Sequence, residues 1–85
     1  PEAAIIQLFG TTPTMIQIQI FDENAGSQSV SYGVYVDNSL YDTVNNNAPI
    51  ISGLLSANTY SIKVKSIYPN GLESDFTNIL TVTTL

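Results

Sequence analysis

The chain has 85 residues, no Cys, no His and a net charge of −5, with Lys63 and Lys65 its only basic residues. Lacking thiolate and imidazole ligands, it excludes zinc, haem and iron–sulfur chemistry, so apolar packing and sheet hydrogen bonds must supply its stability. Nucleic acid or an acidic membrane surface would be repelled, and no apolar run approaches the ~20 residues of a membrane-spanning helix.

Apolar residues recur with period two nearly everywhere, and the abundance of Ile, Val, Thr and Tyr suits pleated strands. The first strand is expected over Ala4 to Phe9, with Ile6 and Leu8 inward. Gly10-Thr11-Thr12-Pro13 ends it, since Pro13 cannot donate to a ladder. Over Thr14 to Phe21, Ile16, Ile18 and Ile20 face one way and Gln17 and Gln19 the other. Asp22 to Ser29 is polar and reads as a loop. A third strand runs from Val30 to Asp37, with Tyr32, Val34 and Val36 on one face. Asp37-Asn38 forms a tight turn, because both residues tolerate positive φ. A short strand, Leu40 to Val44, precedes the break at Asn45–Pro49. The fifth strand is Ile50 to Gly53. The sixth, Tyr60 to Ile67, puts Tyr60, Ile62 and Val64 inward and Ser61, Lys63 and Lys65 outward. Pro69-Asn70-Gly71 marks a hairpin, and the last strand is expected over Phe76 to Thr84, with Ile79 or Leu80 and Val82 in the core. Seven strands without a helix leave an all-β sandwich or a small barrel.

Particular residues choose between these. Ile51-Ser52-Gly53-Leu54, followed by Ala57-Asn58-Thr59-Tyr60-Ser61-Ile62-Lys63-Val64, resembles the E–F region of fibronectin type III domains. Asn70 to Asn78 with Thr81-Val82-Thr83-Thr84 is similar to that family's last turn and strand, and Tyr32 to Asn38 to its third strand. The resemblance covers essentially the whole chain. It implies a seven-stranded immunoglobulin-like β-sandwich of fibronectin type III topology, one domain over residues 1–85. It also implies a tyrosine corner built from Leu54 and Tyr60, in which the Tyr60 hydroxyl bonds a backbone group upstream and pins the crossover. One departure is clear: Ile20 stands where the family usually carries Trp. That points away from the animal cell-adhesion branch and towards divergent modules of bacterial secreted or surface proteins and of phage structural proteins.

Catalysis requires a nucleophile with a base, paired carboxylates in a pocket, or a metal. No such motif is present, nor a Gly-rich phosphate loop, and no cofactor is expected. Binding residues would sit where three loops meet at one end of the sandwich: Asp22–Ser29, Asn45–Ala48 and Tyr68–Ser74. Candidates there are Glu23, Asn24, Asn46, Tyr68, Asn70 and Glu73, with Tyr68 either an aromatic anchor or packed on the rim. Asp22, Glu23, Glu73 and Asp75 form a conceivable calcium set, although no spaced ligand loop exists. On the outer face, Lys63 and Lys65 lie beside Tyr35 and Asp37, as a cation–π contact patch or as surface lysines balancing a carboxylate. No Asn-x-Ser/Thr acceptor and no Arg-Gly-Asp tripeptide occurs.

The chain starts Pro1-Glu2 without an initiator Met or signal peptide, as expected of a piece of a larger protein. The resemblance implies a non-catalytic structural or spacer module of an extracellular, cell-surface or virion protein. Its partners would be neighbouring domains, and its termini would leave at opposite ends. The alternative is a binding module whose loop end recognises carbohydrate or protein. The isolated domain is expected to be monomeric.

Overall fold

The alternation of Ile16, Ile18 and Ile20 with Gln17 and Gln19 sets the first sheet. In the computed structural model, which describes residues 3–22 and 30–85, all three isoleucines are buried. They belong to β2 (Ile16–Phe21), which lies antiparallel between β1 (Ile5–Thr11) and the two-residue β5 (Ile50–Ile51). The second sheet holds β3 (Ser31–Val36), β4 (Ser39–Val44), β6 (Thr59–Ile67) and β7 (Leu80–Thr83) in the order β4-β3-β6-β7. All its pairings are antiparallel.

The two sheets bury their inner faces against each other. Ile6, Ile16, Ile18, Ile20 and Ile51 come from one side; Tyr32, Val34, Ile62, Val64 and Val82 come from the other. Each such burial is worth about 1.5–3 kcal/mol. With neither disulfide nor cysteine, this layer carries the fold. Ile20 is buried within the same cluster, so isoleucine and its neighbours close the space that Trp would fill.

Three details depart from the sequence expectation. Leu8 faces Ile18 across the sheet but is 46% exposed. β1 is the outer strand of its sheet, and the register shifts between Leu8 and Gly10, where the strand bulges. The last strand begins at Leu80 rather than near Phe76, and Ile79 is exposed while Leu80 is half-buried. Side chains cause this late start. Ser74 Oγ accepts the Ser66 amide (2.9 Å), and Thr77 Oγ1 accepts the Val64 amide (3.0 Å). These hydroxyls replace backbone carbonyls along β6, so the 74–79 segment follows the sheet without forming a regular ladder. The fifth strand stops at Ile51, ahead of Gly53.

The strand ends are well separated. Ile5 pairs with Phe21 at one end. At the other, the Leu85 amide donates to the Thr12 carbonyl (3.4 Å) and the Ala57 amide to the Leu85 carbonyl (3.2 Å). The chain therefore enters through β1 and leaves through β7 at opposite ends of the sandwich.

Candidate functional site

The strand registers bring the loop regions to the Ile5–Phe21 end. Ser31 pairs with Ile67, its hydroxyl donates to Asn45 Oδ1 (3.0 Å), and the Ile20 amide donates to the Asn47 carbonyl (2.7 Å). Glu23 and Asn24 lie outside the described residues. The other four candidates are engaged in structure. Asn46 Oδ1 accepts the Ala48 amide and Asn70 Oδ1 the Leu72 amide, two side chains that shape their own turns. Glu73 forms an ion pair with Lys65 (2.8 Å).

Tyr68 corrects the aromatic-anchor expectation: it is only 7% exposed and belongs to the core. The inward alternation of Ile62, Val64 and Ser66 continues through it. The sequence thus held the signal, one step past the last residue of β6. The Tyr68 hydroxyl has no hydrogen-bond partner among the described residues. It stands near Ser66 and Asp22; burial foremost, then the Asp22 charge, raises its pKa above the ordinary tyrosine value, with Ser66 opposing. Asp22 Oδ2 accepts hydrogen bonds from the Ser66 hydroxyl (2.8 Å) and the Tyr32 hydroxyl (3.4 Å). Burial and then Asp22 also raise the Tyr32 pKa. These groups staple the end of β2 to β3 and β6.

Neither Asp22 nor Glu73 is turned towards a common ion: one faces hydroxyls, the other an ammonium. Among the described residues no group of three carboxylates is placed to hold a metal.

The outer face of β3 and β6 holds the second candidate cluster. Phe76 packs edge-on against Tyr35, with ring centroids 5.0 Å apart. Lys63 Nζ sits 4.1 Å from the Phe76 ring centre, and Lys65 Nζ 5.5 Å from that of Tyr35. The Glu73 carboxylate, chiefly, holds the Lys65 pKa above the usual lysine value. Cation–π contact and carboxylate pairing therefore coexist. Asp37 is turned to the backbone, its Oδ1 accepting the Ser61 amide (2.9 Å). Sequence reasoning missed Phe76 because it placed that residue within a strand.

At the opposite end, Leu54 is half-buried against the core, and the Tyr60 hydroxyl accepts the Leu55 amide (2.8 Å). The hydroxyl lies five residues downstream of its donor and ties the crossover between β5 and β6.

This architecture is matched throughout by solved structures. A fibronectin type III domain of human fibronectin type III domain containing protein 3 superposes with a TM-score of 0.85 at 17% identity, covering 99% of this chain and 85% of that one. The chain has the fibronectin type III fold. The FN5 domain of Drosophila Lar gives a TM-score of 0.71 at 16% identity, covering 99% of this chain and 96% of that one. The Yersinia enterocolitica family 28 exopolygalacturonase gives 0.80 at 15% identity, covering 99% of this chain but only 20% of the enzyme. No family model matches the sequence, and no curated protein does.

Proposed function

We propose that this fibronectin type III-fold chain is a non-catalytic module that spaces or displays other parts of a larger extracellular, cell-surface or virion protein. The carrying observation is the placement of entry and exit at opposite ends, β1 beside Phe21 and Leu85 beside Thr12. A sandwich 39 Å long and 20 × 18 Å across can then be inserted in line between neighbours. The likeness to one fifth of a bacterial exopolygalacturonase supports attachment to a larger polypeptide.

Loop-mediated recognition of carbohydrate or protein is the competing reading. Burial of Tyr68 and the turn-shaping roles of Asn46 and Asn70 favour spacing. The test is retention of the 85-residue chain on a glycan array and on immobilised polygalacturonate. A spacer passes unretained. Retention that disappears with Asn46→Ala and Asn70→Ala combined would establish the loop end as a binding site instead.

A further inference from the structure

Of the asparagines in the chain, only Asn70 is followed by glycine. The pair sits in the exposed Pro69-Asn70-Gly71 loop that follows β6. Backbone bonds close this loop: the Tyr68 amide donates to the Leu72 carbonyl (2.8 Å) and the Gly71 amide to the Tyr68 carbonyl (2.9 Å). Gly71 takes a φ of +88°, the left-handed position of a three-residue hairpin loop. Asn70 Oδ1 accepts the Leu72 amide (3.0 Å).

A side chain bonded two residues ahead curls over the intervening peptide. Asn70 Cγ is thereby held against the Gly71 nitrogen, the position that ring closure between them needs. The Leu72 amide also donates to the oxygen that gathers negative charge as the nitrogen adds to Cγ. Gly71 brings no Cβ into the way, and a Cβ built there would meet no atom within 4 Å. Asn46, Asn58 and Asn78 each lack part of this arrangement. Asn46 shares the side-chain geometry, its Oδ1 accepting the Ala48 amide (3.1 Å), but Asn47 puts a side chain beside the peptide nitrogen. Asn58 precedes β-branched Thr59, and its Nδ2 is turned back to the Ser56 carbonyl (2.8 Å). Asn78 precedes Ile79, and Ile6 holds both ends of its carboxamide.

We infer that Asn70 is a site of spontaneous, irreversible deamidation in the folded protein. The Gly71 nitrogen bonds to Asn70 Cγ, the Cγ–Nδ2 bond breaks, and Nδ2 leaves as ammonia with the Gly71 amide proton. Water then opens the cyclic imide. Cleavage at Cγ leaves aspartate; cleavage at the main-chain carbonyl leaves isoaspartate. Forming the imide removes the Gly71–Tyr68 bond, because the ring nitrogen carries no proton. That bond lies at an exposed hairpin tip, where local opening costs little. Either product adds a negative charge to a net −5, on the hairpin that pairs Glu73 with Lys65. Aspartate still offers an oxygen to the Leu72 amide. Isoaspartate lengthens the main chain by a methylene, which disturbs the closure between Tyr68 and Leu72.

The test is incubation of the folded 85-residue chain in neutral and mildly alkaline buffer, followed by ion-exchange chromatography and tandem mass spectrometry. A more acidic species is expected, modified at Asn70 before Asn46 or any other asparagine, and formed faster at the higher pH. Asn70→Asp supplies the standard for the aspartate product, and an isoaspartate peak of equal mass should accompany it. Gly71→Asn keeps a residue that tolerates positive φ but restores a side chain. It should slow conversion at position 70 at least about tenfold, with circular dichroism unchanged. Conversion that begins at Asn46 would overturn the inference. So would an Asn70 that stays intact in the folded chain while the urea-unfolded chain deamidates there, or a rate indifferent to Gly71→Asn.

Discussion

Asn78 hydrogen-bonds the amide and the carbonyl of Ile6, 72 positions away in sequence. One carboxamide thereby joins the segment before β7 to the edge of β1, linking the two sheets along their first-strand side. Asn78→Ala leaves both Ile6 groups to water or to another chain. A loss of about 1–2 kcal/mol is expected in urea titration. Light scattering should rise faster on heating, because the freed edge can pair with a second β1. Equal stability and equal scattering would show that water replaces the carboxamide without loss.

The Tyr60 hydroxyl accepts the amide of Leu55. Tyr60→Phe removes the acceptor and leaves the ring in place. Leu55 is 67% exposed, so water can reach the freed amide. The expected cost is about 0.5–1 kcal/mol, the lower part of the range for a lost hydrogen bond. It should appear as a lower urea midpoint with an unchanged slope.

The fold was legible because its signals are local and repeated. Ile16, Ile18 and Ile20 announce one inner face, and Ile62 and Val64 the other. Asp37 and Asn38 adopt φ of 50° and 69°, the paired left-handed geometry of a tight hairpin turn. What escaped reading depends on contacts between distant segments. Ser74 and Thr77 look like ordinary loop residues until their hydroxyls meet the amides of Ser66 and Val64. Asn78 lies within the family-like turn, but its partner on β1 is 72 positions away and leaves no local signal. Polar loop residues look like ligand contacts in the sequence, and polarity is equally what a turn needs for its own closure, as Asn46 and Asn70 demonstrate.

Gly53 adopts a φ of +74° where the chain leaves β5 for Leu54. A Cβ there would meet no atom within 4 Å, so any penalty is conformational rather than steric crowding by neighbours. Gly53→Ala is expected to destabilise by roughly 1 kcal/mol, since the left-handed region disfavours alanine. Thermal unfolding checks this: a melting temperature equal to wild type would mean the turn relaxes to negative φ.

Tyr68 joins burial to a hydroxyl without a hydrogen-bond partner among the described residues, and its pKa is raised in the folded state, as is that of Tyr32. The native protein therefore keeps these protons at a pH where the unfolded chain, titrating at about 10, loses them. Their contribution is fully present below that unfolded value and disappears as pH rises through the folded values. Stability is expected to be insensitive to these groups below about pH 9 and to fall above about pH 10. Tyr68→Phe removes one of the two groups and should flatten the alkaline decline. At neutral pH the same substitution should be neutral or stabilising, because it deletes a buried hydroxyl that has no hydrogen-bond partner among the described residues. Urea titrations of wild type and Tyr68→Phe at neutral and alkaline pH measure both effects. A substantial loss at neutral pH would reveal a hydrogen bond made by Tyr68, and an unchanged alkaline slope would assign the decline to other groups.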